Sequence, residues 1–145
     1  MAEVDQLHRD ALPWLLKQAD EAAPSDGIEE FVTKPDHVAL VAEVPGGVLA
    51  GALLVRMREP KAIPIVRSAR IAELDALVVG RAFHRRGIGT ALVRAGLDWA
   101  RERGATRSEL GVYEFNERAR SFWASVGFET LSRRLVAQLE RDLEP

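Results

Sequence analysis

The sequence predicts an α+β fold, a mixed β-sheet with helices on its faces. Three observations predict it. Two apolar segments, His37–Val44 and Val48–Met57, flank Pro45-Gly46-Gly47 and read as an antiparallel hairpin. Between residues 70 and 113 a strand, a Gly-x-Gly turn and a helix lead into another strand, the order of a β-α-β crossover, which joins parallel strands. The 145 residues contain no repeat and no linker, which favours a single domain over residues 1–145.

Each element has its own justification. From Val4 to about Ala22 the apolar residues Val4, Leu7, Ala11, Leu12, Leu15, Leu16 and Ala19 recur at helical spacing, and Pro13 starts or kinks that helix. A short helix is expected over Gly27–Thr33, capped by Ser25 or Asp26. After the hairpin, Pro60 and Pro64 make residues 59–69 a loop, and Arg70–Val79 follows as a strand. A helix over Ile88–Arg103, closed by Gly104, presents Ile88, Ala91, Leu92, Ala95 and Trp99 as its apolar stripe. Thr106–Tyr113 is a further strand, Asn116 to about Val126 a helix ending at Gly127, and Phe128–Leu139 one or two more strands.

Composition narrows the function. At 47% hydrophobic and 29% charged residues the chain is of the soluble globular type. The absence of cysteine excludes disulfides, thiolate metal sites and cysteine nucleophiles. No apolar run approaches the roughly 20 residues that span a bilayer, so no membrane partner is expected. The first ten residues hold three acids and no apolar leader core, which makes the cytoplasm the expected location. A net charge of −2 gives no footprint for nucleic acid. His8 and His37 have no partners at ligand spacing, so no metal is expected. The charge is polarised, however: residues 1–30 hold eight acids against Arg9 and Lys17, and residues 56–107 hold twelve basic side chains against five acids. An acidic region of this kind suits a cationic acceptor, and solvated surface is the competing account.

The segment Phe83-His84-Arg85-Arg86-Gly87-Ile88-Gly89-Thr90 joins a strand to a helix. Gly87 and Gly89 let a ligand approach the backbone, and the first-turn N–H groups of the helix lack intrahelical partners. With the helix dipole they form an anion site suited to a diphosphate, and Arg85 and Arg86 add charge at its mouth. A dinucleotide fold would need a third glycine and a later acid, and a P-loop would need Gly-Lys-Ser/Thr; neither pattern is present.

Three ordered motifs carry a resemblance to the GNAT superfamily of acyl-CoA-dependent N-acetyltransferases. Ile71–Val79 resembles that family's fourth strand. His84-Arg85-Arg86-Gly87-Ile88-Gly89-Thr90 resembles its Arg/Gln-x-x-Gly-x-Gly/Ala signature, and Asn116–Trp123 with Gly127-Phe128 resembles its Asn-x-x-Ala-x-x-Phe-Tyr…Gly-Phe motif. The resemblance implies a three-layer fold whose mostly antiparallel central sheet splays between the fourth and fifth strands. It implies acetyl-CoA as acyl donor: amides from Arg85 through Arg86, Gly87, Ile88 and Gly89 to Thr90 hold the diphosphate, the main chain of Leu77, Val78 and Val79 pairs with the pantetheine arm, Asn116 hydrogen-bonds the donor and Phe122 packs on it. His84 stands where the family has Arg or Gln, and Trp123 where many members have the tyrosine that protonates the leaving thiolate.

Acetylating an amine requires removing a proton from a group whose pKa is near 10.4 in lysine-like amines. On Arg70–Val79 strict alternation puts Ile71, Glu73, Asp75, Leu77 and Val79 on one face, two carboxylates among aliphatic residues. Glu73 also resembles, in its spacing to the glycine turn, the glutamate base of the histone acetyltransferase branch, and is the expected general base; an ion pair with an arginine such as Arg70 is the competing expectation. Tyr113, the sole tyrosine, is the candidate acid for the thiolate. The expected function is transfer of acetyl from acetyl-CoA to a primary amine of an unidentified small-molecule or peptide acceptor by direct attack. A non-catalytic acyl-CoA-binding regulatory module is the alternative, and a homodimer through the C-terminal strands fits either.

Overall fold

The computed structural model describes residues 24–61 and 63–140; the helix expected over Val4–Ala22 and most of the acidic residues before position 30 lie outside them. The described residues fall into two compact units, one ending at Gly111 and one beginning at Val112.

The first unit opens with helix α1, Pro24–Thr33. It begins earlier than expected, so Ser25 and Asp26 lie in its first turn instead of capping it; proline is favoured at a first helical position because its missing N–H has no partner there anyway. Strands β1 (His37–Val44) and β2 (Val48–Arg58) form the hairpin, with Val44 opposite Val48. Gly46 and Gly47 both have positive φ, +97° and +78°, as the tight turn demands. Strand β3 (Ile71–Val79) lies antiparallel to β2, and β4 (Arg107–Glu109) parallel to β3, giving the order β1-β2-β3-β4. The mixed, mostly antiparallel sheet expected from the sequence is therefore present.

Helix α2 (Ile88–Glu102) packs on β2, β1 and β3. Its buried residues are Leu92, Val93, Gly96 and Ala100, whereas Ala91 and Ala95 are exposed. The stripe is thus rotated from the expected one, and Gly96 is the reason. A Cβ there would stand 2.6 Å from Leu53 Cδ2, so the absence of a side chain lets α2 settle against β2. Trp99 is half-buried, with the Arg103 guanidinium 4.1 Å from the centre of its ring. Leu53, Val55, Ile71 and Val93 are the largest fully buried side chains. Gly104, at φ +85°, ends the helix as expected.

Two expectations about strands need correction. Thr106–Tyr113 reduces to the three residues Arg107–Glu109, because β3 offers a parallel ladder only from Ile71 to Glu73. Phe128–Leu139 contains no strand, since its own unit has no other strand among the described residues to pair with. In that unit α3 (Glu117–Ser125) is capped by Asn116, whose Oδ1 accepts from Ala119 N at 3.1 Å. Trp123 packs edge-on against Phe122 and Phe128, with ring centres 5.1 and 5.2 Å away. Leu131, Leu135, Val136 and Leu139 are exposed.

Candidate active site

The pairing of β2 with β3 slips between Leu54 and Val55, whose partners are Ala76 and Leu74; Asp75 is the extra residue, a β-bulge. This overturns the expected alternation. Before the bulge Ala72 and Leu74 face the core with Met57 and Val55, and after it Leu77 pairs with fully buried Leu53. Glu73 and Asp75 therefore do not share a face with Leu77 and Val79.

The carboxylates instead meet guanidinium groups from β2. Arg56 Nε donates to Asp75 Oδ2 at 2.8 Å, and Arg58 Nε donates to Glu73 Oε2 at 3.0 Å. Arg58 Nη2 also donates to Glu109 Oε1 at 2.8 Å. Glu73 does form the ion pair that competed with its role as base, but with Arg58 and not with Arg70. Arg70 bonds Asp36 at 2.8 Å and the carbonyl of Arg103. Sequence reasoning missed Arg56, Arg58 and Glu109. The signal was available: alternation along Val48–Met57, extended by one residue, puts Arg56 and Arg58 together on the face that Val55 and Met57 avoid.

Beyond Glu73, β3 keeps β2 on one side and has no ladder partner from β4 on the other. That edge, carrying Leu77, Val78 and Val79, runs into the turn. Gly80 N donates to Ala50 O at 2.8 Å, and a single 3-10 turn, Arg81–Phe83, follows. His84 Nε2 lies 2.8 Å from the carbonyl oxygen of Val79; a carbonyl only accepts, so Nε2 carries the proton. His84 thus braces the end of β3 from the position where the family has Arg or Gln.

Arg85 (φ +64°) and Gly87 (φ +76°) are both left-handed, and right-handed Ile88 follows. Successive amides of alternating hand converge into an anion-binding concavity. A non-glycine residue in this region costs about 1–2 kcal/mol, which marks Arg85 as held there by its surroundings. The first helical bond of α2 runs from Ala91 N to Gly87 O at 3.0 Å, so the N–H groups of Ile88, Gly89 and Thr90 precede the helical ladder. A Cβ at Gly87 would meet nothing within 4 Å, leaving open space over the backbone. Arg85 and Arg86 are exposed, the latter with its guanidinium 5.6 Å from the centre of the Phe83 ring.

The first unit therefore brings together Glu73, Leu77–Val79 and His84–Thr90. Tyr113, Asn116 and Phe122 belong to the second. There Tyr113 stacks on Phe115 at 5.8 Å, Asn116 caps α3, and Phe122 packs on Trp123. Among the described residues no cluster of His, Asp or Glu could hold a metal ion, and no helix is long and apolar enough to cross a membrane.

Backbone N–H groups at the start of α2 thus follow a strand that β4 pairs over only three residues. The family model described as "Acetyltransferase (GNAT) family" matches residues 1–128, and the chain belongs to that family of acetyltransferase enzymes. It is 33% identical over 116 residues to a protein of Mycobacterium tuberculosis described as an uncharacterized N-acetyltransferase, covering 78% of this chain and 68% of that one. A protein of the same description from Methanocaldococcus jannaschii is 36% identical over 64 residues, 44% of this chain and 28% of that one. Among solved structures, a tetramutant of the BH1408 protein from Bacillus halodurans superposes with a TM-score of 0.88 at 18% identity, over 95% of this chain and 88% of that one. The aminoglycoside N-acetyltransferase AAC(6')-Iy in complex with CoA gives 0.67 at 20% identity, over 95% of both chains. At such identities these two likenesses establish the fold.

Proposed function

We propose that the protein, acting as a single domain over residues 1–145, transfers the acetyl group of acetyl-CoA to a primary amine by direct attack. One observation carries this reading: the left-handed pair Arg85 and Gly87 opens α2 with first-turn amides that precede the helical ladder, at the end of a strand that β4 pairs only from Ile71 to Glu73. The amides from Arg85 to Thr90 suit a diphosphate, and Leu77, Val78 and Val79 suit an extended amide-containing arm. These residues fit the donor, which supplies an acyl thioester.

The amine nitrogen attacks the thioester carbonyl carbon, a backbone N–H between Leu77 and Val79 polarises the carbonyl oxygen, and the C–S bond breaks. Glu73 takes the amine proton, directly or through water, using the oxygen opposite the one bound by Arg58. The thiol's pKa near 8.5 makes thiolate a competent leaving group, with Tyr113 as the proposed proton donor. The roles of Asn116 and Phe122 rest on motif resemblance, and that of Tyr113 on its being the sole tyrosine of the chain. A cationic acceptor is favoured by the acids before position 30. The proposal includes a cytoplasmic enzyme and a homodimer in which a second copy covers the exposed leucines of residues 131–139; light scattering at micromolar concentration tests the latter, and a strictly monomeric mass refutes it.

The function is tested by titrating acetyl-CoA calorimetrically and by following thiol release with polyamines, aminoglycosides, amino acids and lysine peptides. Saturable binding with turnover on one class is expected. Binding without turnover on any amine leaves the regulatory acyl-CoA module, and absence of binding ends the proposal.

A further inference from the structure

The parallel ladder of β3 and β4 is three rungs long, and its last rung sets Glu73 opposite Glu109. Like charges at opposed positions of neighbouring strands repel. Arg58 answers this from β2. Its Nε and Nη2 donate to Glu73 and Glu109, so its guanidinium reaches over β3 from one neighbour to the other. Arg107 Nε donates to the second oxygen of Glu109 at 2.6 Å, leaving neither oxygen of that carboxylate unheld. The side chains of Glu73 and Glu109 are only 19% and 21% exposed, so these charge-assisted bonds are partly shielded from water. One residue later the ladder has ended, and two residues later comes the bulge at Asp75. The clamp stands on the last rung of the ladder.

The geometry points to Arg58 as a positioning residue for acetyl transfer: it fixes the rung at which β3 and β4 part, and so sets how deep the acyl arm enters. This rests on the donor site proposed above. Arg58 touches no reacting atom; it acts through Glu73 and Glu109. Without it the two carboxylates face each other across the last rung, the rung opens, and the gap loses its closed end.

The test separates the arm from the diphosphate. ADP carries the diphosphate without the arm, so the full-length protein is titrated with ADP and with acetyl-CoA while the Gly87 amide signal is followed by NMR. Arg58→Gln should weaken acetyl-CoA binding by about tenfold through lost preorganisation and leave ADP binding unchanged. Adding Glu109→Gln to that variant removes the repulsion and should recover most of the loss. Equal weakening of both ligands, or of neither, overturns the inference. A wild-type protein that binds neither ligand overturns the donor-site reading itself. Should Arg58→Gln fail to fold, Arg58→Lys retains the charge but not the planar fork. It should then show a loss of about threefold for acetyl-CoA alone, because one ammonium cannot span both carboxylates in the same geometry; a loss without that selectivity counts against the clamp.

Discussion

The two halves of β3 differ in what their edges hold. From Ile71 to Glu73 the strand is paired on both sides, and its one charged side chain is locked by Arg58. From Leu74 to Val79 it is paired, among the described residues, only with β2, whose fully buried Leu53 lies opposite Leu77. A strand with every partner satisfied is architecture. A strand with one edge left over can serve as a binding surface on a rigid support, which is the role proposed for this half, and the bulge at Asp75 marks the change from one to the other.

The largest effect should come from undermining the support. Leu53→Ala leaves a cavity behind the open half and should cost about 3 kcal/mol in urea denaturation; a loss below about 1 kcal/mol would mean that the open half does not depend on that packing. Gly87→Glu puts a side chain at a left-handed position and a negative charge in the anion cradle. Acetyl-CoA affinity measured by calorimetry should fall by about a hundredfold, and retained affinity would place the diphosphate elsewhere. Glu73→Gln probes the paired half. Thiol release should slow by up to about a hundredfold while acetyl-CoA affinity changes little, and an unchanged rate would leave Glu73 as an ion-pair partner of Arg58 and nothing more.

Smaller effects sharpen the contrast between satisfied and open groups. Asn116→Ala removes a helix cap and should cost about 1 kcal/mol, whereas Asn116→Asp caps equally well. If Asn116→Asp keeps its melting temperature yet weakens acetyl-CoA binding, the residue serves the ligand as well as the helix. Asp98→Ala breaks an exposed pair with Arg101 and should change stability by less than about 0.5 kcal/mol, the control for charge removal away from the sheet.

Much of this was legible in the sequence, and the failures have physical causes. The hairpin was readable because Gly46 and Gly47 sit where left-handed residues serve, and the strand–turn–helix junction because Gly87 and Gly89 follow a strand and open a helix. The buried face of α2 was misplaced because Gly96 contributes by having no side chain, which a hydrophobic pattern cannot register. Glu73 and Asp75 were assigned to an apolar face because alternation is a local rule, and a bulge is created by the partner strand. Their guanidinium partners lie 15 and 19 positions away, a separation that becomes a contact only once register is known. The C-terminal segment shows the opposite limit: its apolar residues suggested a strand, but pairing is a property of two segments.

The extra residue at Asp75 shifts β3 by half a pleat, so one strand serves as a charged rack at its start and an aliphatic wall at its end. Deleting that single residue would take out a stitch without moving the cloth: Leu74 would stay opposite Val55, Ala76 opposite Leu54 and Leu77 opposite Leu53, in unbroken alternation. What would go is the local bend and added twist that a bulge gives a strand, at the point where the ladder with β4 has just ended.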